Sequence, residues 1–175
     1  MVKRDNYPHA VFRPMKTLEV PETLATKLFE ISERSRKRPY DVIAELLLDR
    51  MEEAERLSTL LDLSVEFEKL GDELHSKGDA VEAGEAYWRA LSYAMRAVAM
   101  KIGFDVTTYQ DHFSLVEYLS YKLNNGSLVV SFLNAERLHG EFHPRPQNPE
   151  EFEFRKKHAK LLLTELRHLI NEMQK

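Results

Sequence analysis

The chain has 175 residues with 25 Lys and Arg, 29 Asp and Glu, a net charge of −4 and no cysteine. That length can bury a core without cross-links or a structural metal, and the lack of cysteine excludes a disulfide framework, a thiol nucleophile and a cysteine-based zinc site. No segment nears the roughly 18 apolar residues of a membrane span, and the opening MVKRDNYPHAVFRP lacks the apolar run of a signal peptide. We therefore expect a cytoplasmic protein with no membrane partner. The charge is uneven: residues 1–50 carry ten Lys/Arg against eight Asp/Glu, and residues 51–175 carry fifteen against twenty-one. The basic residues Arg34, Arg36, Lys37 and Arg38 cluster, as in a nucleic-acid face or a solvated helix end that suits the dipole.

Residues 1–14 read as an irregular arm, with Tyr7-Pro8 and Arg13-Pro14 blocking helix. Residues 15–51 form a second segment. Lys16 to Val20 alternates, with Leu18 and Val20 on one face and Thr17 and Glu19 on the other, which predicts a short strand ended by Pro21. A helix is predicted from about Glu22, with Leu24, Leu28 and Ile31 at helical spacing, ending in Arg-Ser-Arg-Lys-Arg. A second starts near Pro39, since proline suits a first helical turn, with Val42, Ile43, Leu46 and Leu47 as its apolar face. Strand, helix, basic turn and helix together resemble a ribbon-helix-helix unit. The resemblance implies that two chains pair their strands into a DNA-reading ribbon, with Thr17 and Glu19 facing outward.

Residues 52–175 read as a helical bundle. The spacing of Leu60, Leu63, Phe67, Leu70 and Leu74 alternates three and four, a packing seam. Because neither Pro nor Gly stands between Tyr40 and Gly71, this helix is expected to run on from the one before. Gly78 ends it. The next helix, to Gly103, is apolar on most faces and alanine-rich, which predicts a central post covered on several sides. Asp79 is its N-cap, Glu82 gives a box-like pattern and Gly103 terminates it. Further helices are predicted at about 111–123, 127–139 and from Asn148, which caps the last, with Pro149 in its first turn. GEFHPRPQNP between them is irregular. His112, His158 and His168 read as packing or surface residues, and Arg155 to Lys160 as a basic, solvated helix face.

Phosphate loops, dinucleotide turns, HExxH and nucleophile elbows are absent. His139 and His143 flank Glu141 at a spacing of four, but Gly140 and Pro144 break the helix that would bring them to one metal, so no metal or other cofactor is expected. Arg137 and His143 stand six apart. Such a pair can cleave RNA without a metal: the histidine takes the 2′-hydroxyl proton and the arginine stabilises charge on phosphorus. The bundle with its alanine-rich helix and this pair resembles the HEPN group of helical domains, which carry Arg-x(4–6)-His and face two copies across a dimer. More narrowly, Gly78, Asp79, Ala83, Glu85 and Trp88, followed by Leu138, His139 and Phe142, resemble the PaREP family of archaeal helical proteins.

The expected fold is all-α: a HEPN-like bundle of four to five helices, preceded by a short strand and a helix pair. The resemblances imply a homodimer associated with nucleic acid, RNA more than DNA, in a defence or toxin–antitoxin setting. The candidate catalytic residues are Arg137 and His143, oriented by His139 and Glu141. The candidate nucleic-acid contacts are Arg34, Arg36, Lys37, Arg38 and Thr17. Two other readings stand beside it, a non-enzymatic dimeric scaffold that binds a protein or small ligand, and DNA binding by the N-terminal unit.

Overall fold

A computed structural model describes residues 16–140 and 144–173. They form seven α-helices: α1 Glu22–Ser35, α2 Pro39–Leu48, α3 Glu53–Ser76, α4 Ala80–Ile102, α5 Tyr109–Lys122, α6 Ser127–Ala135 and α7 Pro149–Met173. A 3₁₀ turn, Glu136–Leu138, extends α6. α3 and α4 form an antiparallel hairpin, α4 also packs on α7 and α5, and α6 lies between α5 and α7.

α4 is the post. Ala83, Ala86, Tyr87, Ala90, Leu91, Ala94, Met95, Ala97 and Val98 are all buried, and its small side chains let α3 and α7 approach closely. Its ends follow local chemistry. The Asp79 carboxylate accepts from the Glu82 N–H at 3.1 Å, and Gly103, at φ +74°, takes the left-handed turn that favours glycine. The box stays half-made, because the Glu82 carboxylate is taken by Arg38 of the N-terminal segment at 2.7 Å.

Three expectations are corrected. The α3 seam is shifted: its buried positions are Leu57, Leu60, Ser64, Phe67 and Gly71, while Leu63, Leu70 and Leu74 are only half-buried. Apolarity alone misplaces it because Gly71 is filled from across the hairpin. A Cβ there would stand 2.9 Å from Tyr87 Cε1, and the Ser64 hydroxyl accepts from Arg167 at 2.9 Å. Second, α2 and α3 are separate helices despite lacking Pro or Gly. The chain turns through Asp49 to Glu52, with Arg50 N–H donating to the Leu47 carbonyl at 3.0 Å, which lets Leu48 enter the core. Third, residues 16–20 are irregular, and the described residues contain no strand. A lone strand leaves its backbone donors and acceptors unpaired.

The N-terminal segment also leaves apolar side chains in solvent. Leu18, Val20, Leu24, Phe29, Ile31, Leu46 and Leu47 are all exposed. The faces read as apolar stripes of α1 and α2 are thus only partly used within one chain: Val42 is buried, Leu28 and Ile43 are half-buried, and Leu24, Ile31, Leu46 and Leu47 stay exposed, while Leu48, outside the predicted face, is buried. In the bundle, Leu123 and Met173 are likewise exposed ends of otherwise buried faces.

Candidate functional site at Glu85 and Arg137

Glu85 stands in the second turn of α4, among small and apolar residues, and is only 7% exposed. A buried carboxylate must be paired and hydrogen-bonded, and here the segment after the 3₁₀ turn supplies the partners. His139 Nδ1 lies 2.9 Å from Oε2, the Gly140 N–H donates to Oε1 at 3.3 Å, and Arg145 Nη2 donates to Oε1 at 2.7 Å. Burial pushes the Glu85 carboxyl up, but the hydrogen bond and charge of His139, with Arg145 and the Gly140 N–H, more than offset it and hold it at about 2. A Cβ on Gly140 would crowd the Arg145 guanidinium, the movable end of a long side chain. One turn along α4, Arg89 Nη1 is 3.8 Å from Glu85, while its Nε reaches Asp41 of α2 at 3.3 Å and its guanidinium lies 5.1 Å over the Tyr40 ring. Alternating charges therefore tie α2, α4, His139 and Arg145 together.

Trp88, three residues after Glu85 and so on the same helix face, is the apolar half of this clamp. The His139 ring stacks on it at 5.3 Å and 5°. Its other neighbours are His112 at 5.8 Å, Phe132 at 6.0 Å and Tyr109 at 6.4 Å. His112 is buried. Its Nδ1 donates to the Thr108 carbonyl at 2.7 Å, which leaves Nε2 to accept from the Ser92 hydroxyl at 2.9 Å, the pattern of a neutral ring. Burial lowers its pKa. The Tyr109 hydroxyl donates to the buried Glu136 carboxylate.

Arg137 lies in the 3₁₀ turn and is exposed, while its neighbours Glu136 and Leu138 are buried. A three-residue turn puts consecutive side chains on different sides, so Arg137 points out where its neighbours anchor. Nearby, Arg155 of α7 donates to the Asn134 side chain and reaches Glu151 at 3.4 Å, and His158 Nδ1 meets the Ser131 hydroxyl at 3.2 Å. The Glu151 carboxyl is held below its usual range first by the Gln147 N–H, against slight desolvation, then by Arg155 and Arg137.

Of the four predicted catalytic residues, Arg137 is exposed and His139 is engaged by Glu85 and Trp88, whereas Glu141 and His143 lie outside the described residues. The basic cluster divides. Arg34 and Arg36 are exposed, and Arg36 closes α1 at φ +54°. Lys37 pairs with Glu45 at 2.6 Å and Arg38 with Glu82 at 2.7 Å. Thr17 is exposed in the irregular residues. Sequence reasoning missed Arg145, Asn134 and the Arg89–Asp41 pair, and it read Arg155 as part of a solvated face, whereas Arg155 is half-buried and held by Asn134 and Glu151. One signal was present: a glutamate inside Ala-Gly-Glu-Ala-Tyr-Trp needs a cation from elsewhere in the chain. Among the described residues no group of three or more His, Asp or Glu side chains is placed to hold a metal ion, and no helix is long and apolar enough to cross a membrane.

An alanine-rich central helix whose buried carboxylate clamps a later Leu-His segment makes the described residues an all-helical bundle. The chain belongs to the archaeal PaREP1/PaREP8 family, whose model matches residues 59–163, from α3 into α7. Glu85, Trp88, Leu138 and His139 all lie within that span. No curated protein and no solved structure matches the chain.

Proposed function

We propose that this chain is a HEPN-like, RNA-associated helical protein of the defence or toxin–antitoxin type, in which the Glu85 clamp positions the segment that carries Arg137. The observation that carries this reading is Arg137 itself. It is the exposed residue of an otherwise buried turn, it makes no ion pair among the described residues, and it stands beside a cluster containing Arg155, Asn134 and His158. An arginine held this way is suited to a phosphate of RNA. Cleavage would need a histidine to take the 2′-hydroxyl proton, the role left to His143. The test is binding and cleavage of a labelled hairpin RNA by the intact protein and by Arg137→Ala. Binding weakened about tenfold or more in the variant is the expected result, in line with one lost charge-assisted phosphate contact. Equal binding by both, or none by either, would sink the reading.

A second reading, a non-enzymatic dimeric scaffold, is favoured by the engagement of His139 with Glu85 and Trp88, which gives that histidine a structural task. The cavity between Tyr40, Leu63, Phe67 and Tyr93 measures about 140 Å³, below the roughly 300 Å³ at which ligand pockets begin, so the exposed apolar residues of α1 and α2 are the better-supported contact. The natural partner is a second copy, which would cover Leu24, Phe29, Ile31, Leu46 and Leu47 and pair residues 16–20 across a two-fold axis in the ribbon-helix-helix manner. Light scattering after gel filtration should give a dimer for the intact chain and a monomer for Phe29→Glu. A monomeric wild-type chain at the highest soluble concentration would reject the dimer.

A further inference from the structure

We propose that the outward face of α7 around Phe154 is a platform for single-stranded nucleic acid, with a base stacked on the Phe154 ring and a neighbouring phosphate on Lys157. The proposal rests on the RNA reading above and assigns it a second contact surface. Phe154 is 52% exposed, and its ring has one cation and one imidazole against it. The Arg155 guanidinium lies 5.5 Å from its centroid and the His158 ring meets it edge-on at 4.8 Å. An open groove of about 590 Å³ runs along the same helix, with Phe154 and Leu161 as its apolar walls and Lys156, Lys157 and Lys160 along it. Two of these lysines are committed: Lys156 reaches Glu153 and Lys160 reaches Asp72. Lys157 makes no ion pair among the described residues, and it is exposed one turn from Phe154.

The chemistry of the face chooses the occupant. Glu153 also lines the groove and holds Lys156, so the cation left for a ligand is Lys157, one turn from an exposed ring; a ring face beside an uncommitted cation suits a single strand, since every base has a face to stack and every link a phosphate. The face also adjoins the proposed RNA surface: Arg155, which covers the Phe154 ring, shares Glu151 with Arg137.

The experiment is fluorescence anisotropy of a labelled oligouridylate with the intact protein, repeated over a range of salt concentrations. Phe154→Leu, which keeps apolar bulk but removes the stacking face, should weaken binding about fivefold or more. Lys157→Gln should flatten the dependence of log K on log salt by about 0.7, the signature of one lost single-strand phosphate contact. Both positions are exposed, and matching thermal melts verify that the variants fold. Oligouridylate binding unchanged by both substitutions overturns the platform. So does a wild-type protein that binds hairpin RNA in an Arg137-dependent way but no single strand, which leaves the RNA reading standing. Binding of phosphatidylserine vesicles without any oligonucleotide binding overturns it in favour of a lipid surface.

Discussion

Replacing Glu85 by alanine is expected to destabilise the protein by about 3–5 kcal/mol, the usual consequence of removing one partner from a buried charge pair. For a chain of this length that is a fall in Tm of roughly 10 °C. The loss is large because one carboxylate answers three donors: His139, the Gly140 N–H and Arg145. Without it His139 and Arg145 lose their shared acceptor, and the Arg145 Nε is already buried without a hydrogen-bond partner. Acid should reproduce part of the effect. The folded Glu85 carboxyl sits at about 2, below its ordinary value of 4.5. Its stabilisation is therefore complete above the unfolded carboxyl's pKa and is lost as pH falls from there toward about 2. Thermal melts between neutral pH and pH 3 should show wild type losing its advantage over Glu85→Gln as the pH drops. A constant gap, or a Glu85→Ala melt within 2 °C (about 1 kcal/mol or less) of wild type, would show that the clamp carries little of the fold.

Gly84→Ala is expected to destabilise by about 2 kcal/mol, although alanine is the better helix former by up to about 1 kcal/mol. The added Cβ would stand 2.5 Å from the Leu138 carbonyl oxygen and 3.3 Å from its carbon. Both are backbone atoms, so the 3₁₀ turn itself must move, and overpacking of this kind outweighs the propensity gain. Because Arg137 and His139 flank Leu138, the same substitution should weaken hairpin RNA binding while leaving α4 helical. Chemical denaturation with the circular dichroism signal checks the first expectation. A variant as stable as wild type would mean that the turn yields without loss.

Much of the helical framework could be read before any fold was known. Asp79, Asn148 and Gly103 each act within three to five residues of themselves: the Asp79 side chain accepts from Glu82, the Asn148 side chain accepts from Glu151, and the Phe104 N–H beyond Gly103 reaches Ala99. Local hydrogen bonds leave local signatures, so the ends of α4 and the start of α7 were legible. The motif of Gly78, Asp79, Ala83, Glu85 and Trp88 with Leu138 and His139 was legible too, as a pattern, and led to the family. Its purpose was not. Glu85 and His139 are 54 positions apart, and nothing in their spacing says that one will grip the other or that Trp88 will lie flat beneath the imidazole.

The rest of the candidate site belongs to the same category. Arg145 sits between two prolines in a segment read only as irregular, and its acceptor, Glu85, lies 60 positions away on α4. The α3 seam moved by one position because a tyrosine on the facing helix fills the space over Gly71. The strand expected before α1 did not form within one chain because a strand is a property of two segments. What this sequence by itself determined is an all-helical chain, the ends of its main helices and the residues that mark its family, all matters of short-range hydrogen bonding and periodicity. Only the tertiary structure decided which polar groups meet, because a buried carboxylate takes its partner from whichever distant segment the packing of Gly84 against Leu138 brings beside it.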